Sequence, residues 1–325
     1  MRAVVYSEYG GPEVLTVADV ATPAPGPGEV LVKVHAAALN PVDWHFVRGA
    51  PYPIRMATGG FRRPTPQRRV GADFAGTIAG VGPNVTGFAV GDEVFGMGEG
   101  TVVDYLIVKS DGAIARKPPR LTFEQAAAVP LAGLTALQAL RDKAKVRAGQ
   151  RVLIVGAAGG IGSFAVQIAK ASGANVTGVQ STAVVDLVRS LGADRVIDYT
   201  TEDFTTADTP YDVVFDNVSN RDLWDVLRVI RPGGIFVPNG GGSPEKGLSL
   251  FRLLRSVAAR PFIKQKIAMF VTKPNRADLE VLAGMIEAGT VRPVIDQCYP
   301  MTAVADAWRH LESGHAHGKV VVTLE

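Results

Sequence analysis

Along residues 29–39 the chain alternates, with Val30, Val32 and Val34 on one face and Leu31, Lys33 and His35 on the other. A period of two is that of a half-buried strand, so a β-strand is predicted there. Up to about residue 120, similar short segments are separated by turn-forming clusters at Gly59-Gly60, residues 80–84, Gly91-Asp92 and Gly96. Such spacing predicts a β domain of barrel or sandwich type. Beyond residue 120 the pattern changes. Thr122-Phe-Glu-Gln125 reads as a capping box that opens a helix, and Pro130 interrupts it before a second helical stretch through Lys143. Apolar strands are then predicted over 151–155, 175–179, 195–197, 212–215 and 235–237, alternating with helices over 161–172, 183–191 and 223–230. Gly173 and Gly192 fall where helix C-termini favour a left-handed residue. This alternation predicts a parallel, doubly wound sheet, so the fold class is α/β with a separate β domain.

Composition adjusts the picture in three ways. The 325 residues include 36 glycines, about 11% against the ~7% usual for proteins, yet 47% of the chain is hydrophobic. The glycines therefore belong to turns and close approaches of an ordered core rather than to disorder. The single Cys298 excludes disulfide frameworks and all-cysteine zinc sites; it is expected at a half-buried core or interface position, in a reducing compartment. The 34 basic and 31 acidic residues nearly balance, but residues 44–70 hold six arginines and no acid. Residues 248–276 hold seven bases, again without an acid. These runs read either as solvated loops or as a mouth that attracts an anionic ligand. The first residues show no basic segment leading into an apolar one, which predicts a cytoplasmic protein. The weakly charged stretch 152–169 contains four glycines and fits a buried strand and helix better than a membrane span.

The strongest chemical signal is Val155-Gly-Ala-Ala-Gly-Gly-Ile-Gly162, which follows a predicted strand and opens a predicted helix. Ala157, Gly159 and Gly162 take the three positions of G-x-G-x-x-G. Gly159 would admit a pyrophosphate close to the backbone, and Gly162 would let the helix pack on its strand. Gly156, Ala158, Gly159, Gly160, Ile161 and Gly162 are thus the candidate phosphate-binding residues, using the N–H groups and positive end of the helix. About twenty residues on, an acid would accept hydrogen bonds from an NAD ribose. The chain has Val179-Gln180-Ser181-Thr182 there instead. Ser181 and Thr182 can donate to a 2′-phosphate, so NADPH is the predicted cofactor; Thr182 would alternatively cap the next helix.

Several segments in order resemble the medium-chain dehydrogenase/reductase superfamily, in its zinc-independent quinone oxidoreductase-like branch. They are residues 11–15 (GPEVL), 38–43 (ALNPVD), 71–76 (GADFAG), 85–96, 126–140, 165–170 (AVQIAK), 191–194 (LGAD), 231–234 (RPGG) and 314–320 (GHAHGKV). Residues 44–70 look more like the reticulon-interacting reductases. The resemblance implies a GroES-like β domain from residues 1–122 and 273–325, with a Rossmann NADPH-binding domain of residues 123–272 inserted between. It implies a homodimer, paired through a sheet edge near residues 266–271. It places Asn40, Ala72 and Leu131 where zinc-dependent members bind their catalytic metal, and none of the three is a usual zinc ligand. No metal site is therefore expected.

Without a metal, the chemistry implied is hydride transfer to a quinone or α,β-unsaturated carbonyl, with hydrogen bonds to the developing oxyanion. Asn40, which in this family lies beside the nicotinamide, is the first candidate donor. His45, where relatives often carry tyrosine, and Tyr52 are candidate proton donors. Asp43 is read as structural, orienting its loop. The resemblance adds Thr135, Asn217, Val218, Asn239 and Gly240 near the nicotinamide and its ribose, Tyr199 near the adenine or 2′-phosphate, and a family lysine at Lys319. The alternative is a protein that keeps the nucleotide site but acts through its basic segments, on RNA for example. Those segments contain Tyr52, Phe61, Phe251 and Phe262 without the regular interleaving of a stacking platform, so a nucleic-acid partner is not expected.

Overall fold

The computed structural model describes residues 1–240, 242–243, 247–248 and 260–324. In the first half of the chain the strands are β1 (Arg2–Tyr6), β2 (Thr16–Asp19), β3 (Glu29–Leu39), β4 (Arg68–Arg69), β5 (Asp73–Val81), β6 (Glu93–Met97), β7 (Tyr105–Lys109) and β8 (Ile114–Arg116). The predicted strand at 29–39 is β3 itself, and its even-numbered valines are buried. It is the spine of a seven-stranded sheet. β5 and β7 pair with it antiparallel, and so does β18 (Lys319–Thr323) from the far end of the chain. β17 (Ile295–Pro300) pairs with β18 at the sheet edge. The C-terminal segment thus returns to the first sheet, and the bidentate Arg48–Glu312 ion pair fastens it again at 2.6 and 2.7 Å.

The second sheet is parallel. β9 (Arg151–Val155), β10 (Asn175–Gln180), β11 (Arg195–Asp198), β12 (Tyr211–Asp216) and β13 (Ile230–Pro238) match the five predicted strands. After the short β14 (Gly242–Ser243) and β15 (Gly247–Leu248) pair, β16 (Lys266–Ile267) adds the edge. The order β11-β10-β9-β12-β13-β16 reverses direction between β9 and β12, the crevice where doubly wound sheets bind ligands. Its core forms because β9 and β12 are apolar on both faces, as strands covered by helices on both sides must be.

The helices are α1 (Pro41–Arg48), α2 (Arg55–Thr58), α3 (Phe123–Ala127), α4 (Pro130–Leu137), α5 (Gly160–Ala171), α6 (Val185–Ser190), α7 (Leu223–Arg228), α8 (Arg276–Glu287) and α9 (Val304–Glu312). The capping box at Thr122 and Gln125 is present, and Gly173 and Gly192 have φ of 77° and 100°. Four expectations change. Residues 41–48, read as part of the β region, form a helix with Asn40 at its N-cap and Pro41 at its first position. The helix expected to reach Ile230 stops at Arg228, because Ile230 pairs with Tyr211 and opens β13. Only residues 266–267 of the expected edge strand pair. Cys298 is exposed on the edge strand β17, not half-buried. Phe251, Arg252 and Arg255 of the second basic run lie outside the described residues. Among the described residues no helix is long and apolar enough to cross a membrane.

Candidate active site

The turn after β9 is built from backbone. Gly156 adopts φ 74°, and a Cβ at Gly162 would stand 2.0 Å from the Gly156 carbonyl oxygen. That contact permits only glycine, and it seats α5 on β9 as expected from the sequence. At Gly159, the N-cap of α5, a Cβ would meet only the Gly156 oxygen at 3.3 Å, so this side of the turn is open to a phosphate. Ala157 and Ala158 are buried beneath it. Ile161 lies in the first turn of α5.

Across the crevice, Asn217, Val218, Asn239 and Gly240 come together at the ends of β12 and β13. Asn239 Nδ2 donates to Asn217 Oδ1 at 2.9 Å, and Asn217 Nδ2 donates to the Val155 carbonyl at 3.2 Å. Beneath them the buried Asp216 accepts from the Val218 and Ser219 N–H groups. Val218 is partly exposed beside Gly156.

Ser181, Thr182 and Tyr199 also gather, at the tips of β10 and β11. Here the tertiary structure alters the premise drawn from sequence. β11 runs beside β10 with Gln180 opposite Asp198, so the neighbouring strand brings a carboxylate to a tip that lacks one of its own. The Thr182 hydroxyl and the Thr200 hydroxyl and N–H all donate to Asp198, and these bonds hold its carboxyl below its ordinary range. Thr182 does not cap the helix; Ser181 stands at that N-cap without a side-chain bond.

The other end of the crevice holds a buried polar cluster. Asp73, fully buried at the start of β5, accepts from the Leu131 N–H at 2.9 Å through Oδ1 and from Asn40 Nδ2 at 2.9 Å through Oδ2. Lys319 Nζ, also buried, donates to the Leu39 carbonyl at 3.1 Å, to Asp73 Oδ2 at 3.2 Å and to Asn40 Oδ1. Burial pushes Asp73 up from its ordinary value, while Lys319, Asn40 and the Leu131 N–H pull it back. Asn40, Ala72 and Leu131 therefore do converge, but on an ion pair. The Lys319 stem passes over Gly160, where a Cβ would lie 3.0 Å from its Cδ. One lysine thus joins the turn of the nucleotide site to Asn40.

The geometry revises three expected roles. Both hydrogens of Asn40 Nδ2 are spent, on Ala38 O at 3.2 Å and on Asp73, so Asn40 is a buttress for Lys319 rather than a free donor. His45 is buried; its Nδ1 contacts the Ala50 carbonyl at 2.7 Å, and burial lowers its pKa, which suits an anchor of the loop better than an acid. Thr135 donates to the Leu131 carbonyl at 2.6 Å and pairs with Thr272, a helix-packing role. Tyr52 is 58% exposed and stacks on Phe61, with the Arg55 guanidinium held between its ring and that of Tyr9 at 4.4 and 4.5 Å. Asp73 escaped the sequence reading. Its only signal was its place in the 71–76 segment, next to Ala72.

Between the cluster and this loop lies a cavity of about 340 Å³. One side is apolar at Val42, Phe46, Val47 and Ala57, another is charged at Arg68, Arg69 and Glu99, and it reaches Ala72 and Asp43. A nucleotide-type turn at the switch point of a doubly wound sheet, joined to a second β domain that carries this cavity, defines a nicotinamide-dependent oxidoreductase. Family descriptions agree: the alcohol dehydrogenase GroES-like domain matches residues 26–119 and the zinc-binding dehydrogenase matches residues 191–322. The chain is 37% identical to the chloroplastic NADPH-dependent alkenal/one oxidoreductase of Arabidopsis thaliana, over 99% of this chain and 79% of that protein. It is 33% identical to the mitochondrial NAD(P)H oxidoreductase RTN4IP1 of Homo sapiens, over 100% of this chain and 89% of the relative. Among solved structures, the quinone oxidoreductase from Coxiella burnetii superposes with a TM-score of 0.86 at 29% identity, covering 100% of this chain and 99% of that one. The chain belongs to the medium-chain dehydrogenase/reductase superfamily.

Proposed function

We propose that this protein is a zinc-independent, NADPH-dependent reductase that transfers hydride to a quinone or an α,β-unsaturated carbonyl, working as a cytoplasmic homodimer without a nucleic-acid partner. The observation that carries the reading is the path of Lys319, whose stem crosses the phosphate turn at Gly160 and whose ammonium ends on Asn40 and Asp73. Donor chemistry supports the absence of zinc. Asn40, Ala72 and Leu131 offer no thiolate or imidazole, and the buried ammonium beside them opposes a dication.

The reduced nicotinamide supplies the hydride. Residues 156–162 hold the pyrophosphate, while Asn217, Val218, Asn239 and Gly240 form the floor for the ring and its ribose. The positive charge of Lys319, buried in a medium of low dielectric, stabilises the negative charge that develops on the acceptor oxygen. Asn40 and Asp73 fix that charge in place. Val42, Phe46, Val47 and Ala57 give the cavity an apolar side that suits a flat, conjugated acceptor. Ser181, Thr182 and Tyr199 receive the adenosine 2′-phosphate, in keeping with the NADPH-dependent alkenal/one oxidoreductase among the relatives. For the sheet edge at β16, pairing with a second copy supplies the dimer.

The test is nucleotide oxidation with 1,2-naphthoquinone and a simple enone, run with NADPH and NADH in parallel. Turnover favouring NADPH and unaffected by chelator is expected. No turnover with either nucleotide across a broad acceptor panel would sink the assignment.

A further inference from the structure

Asp43 is a buried acid that no part of the proposed chemistry has yet used. It sits on the first turn of α1, is 5% exposed, and lines the 340 Å³ cavity together with Ala72. Its Oδ2 accepts from the Asn40 N–H at 2.8 Å, which fixes the carboxyl against the residue that holds Lys319. The Asn40 side chain also lies against this carboxyl. The groups facing it are few: Asp73 and Lys319 from the cluster, and Tyr6, Arg68, Arg69 and Glu99 around the cavity. Arg68 is engaged by Glu99 at 2.8 Å, and the Tyr6 hydroxyl, pushed up to about 12 chiefly by burial, stays protonated.

We propose that Asp43 is the catalytic acid of this site, delivering the proton that completes reduction of an acceptor bound in the cavity. The inference rests on the reductase reading above. Hydride adds to the β-carbon of an enone, and the π pair moves toward the carbonyl as an enolate. The α-carbon then takes the Asp43 proton, the O–H bond breaks, and the carboxylate left behind is reprotonated from solvent through the cavity mouth. With a quinone, the proton goes to the reduced oxygen. The acid is poised for this. Burial, aided by the charge of Asp73, pushes Asp43 up to about 7 against the pull of the Asn40 N–H and Lys319. It is therefore a proton donor near neutral pH, whereas an ordinary carboxyl is spent by pH 5.

Asp43→Asn tests this, because the amide oxygen still accepts from the Asn40 N–H while acidity is lost. We expect kcat to fall about 10²–10⁴-fold, the range for loss of a general acid. The wild-type decline of kcat as pH rises past about 7 should vanish from the variant. Reduction of an α-substituted enone in D2O should place deuterium on one face in the wild type and on both faces in the variant. The nucleotide-free protein gives a second readout. A carboxyl whose folded pKa is raised makes the wild type lose stability, relative to Asp43→Asn, as pH rises from about 4 through 7. Chemical denaturation of both proteins across that range measures it. A variant that keeps the kcat profile and facial selectivity would overturn the role of Asp43 while leaving the reductase reading intact. A wild type inactive on every acceptor would remove both.

Discussion

The two ends of the crevice are made from different materials. The proposed nucleotide end is a seven-residue turn in which glycine and alanine leave the backbone bare, and its tightest contact, Gly162 against the Gly156 carbonyl, is local. The acceptor end is made of side chains: Asn40 and Asp43 from α1 and its cap, Asp73 from β5, Leu131 from α4 and Lys319 from β18. A backbone site tolerates change poorly at its glycines but depends little on the rest of the chain. A side-chain cluster depends on the whole fold, since its polar members Asn40, Asp43, Asp73 and Lys319 are all buried and come from different elements.

The largest effect that separates the two ends is expected at Lys319. Lys319→Met would leave Asp73 buried without its cation, and removal of one partner of a buried pair costs about 3–5 kcal/mol. Urea unfolding should show that loss; a change below about 1 kcal/mol, the scale of a surface pair, would mean the cluster is not cooperative. Gly162→Ala acts on the other end. Its Cβ cannot fit 2.0 Å from the Gly156 oxygen, so NADPH affinity should drop about 100-fold, or roughly 2.7 kcal/mol. Calorimetric titration measures it, and unaltered binding would contradict the packing of α5 on β9.

Asn40→Ala sharpens the contrast by splitting function. With the buttress removed, kcat should fall on the order of tenfold to a hundredfold, equal to about 1.4–2.7 kcal/mol of transition-state stabilisation, while the Kd for NADPH changes little. Equal losses in both would show that the two ends are not separable. The smallest effect is expected at Asp198→Asn. Removing a carboxylate next to Thr182 should tighten NADPH by a few-fold with NADH unchanged, since exposed charges are well screened. Stronger NADH binding in the variant would mean that Asp198 does not face the 2′ position.

Local features were legible from the sequence because their causes are local. The turn at 156–162, the five parallel strands, the capping box at Thr122 and the left-handed glycines at 173 and 192 all follow from neighbours a few residues away. The helix at 41–48 was missed because eight residues led by a proline, set among strands, carry too little periodicity to stand out. Asn40, His45, Tyr52 and Thr135 were found as residues, but their roles were not readable. Whether an amide or hydroxyl is free depends on what packs against it, and here the partners were Asp73, Ala50, Arg55 and Thr272.

Sequence by itself determined that a dinucleotide turn opens a doubly wound sheet, that the usual zinc ligands are missing, and that two structural grammars share one chain. Only the tertiary structure decided what fills the place of those ligands. Lys319 and Asp73 are 246 residues apart, and no periodicity or propensity links positions at that distance. They meet because β18 pairs with β3, which carries Asn40 at its end, while β5 pairs with the other side of β3 and starts at Asp73. Burial then does the rest: in the interior, an ammonium and a carboxyl brought together by strand register must satisfy each other and the amide between them.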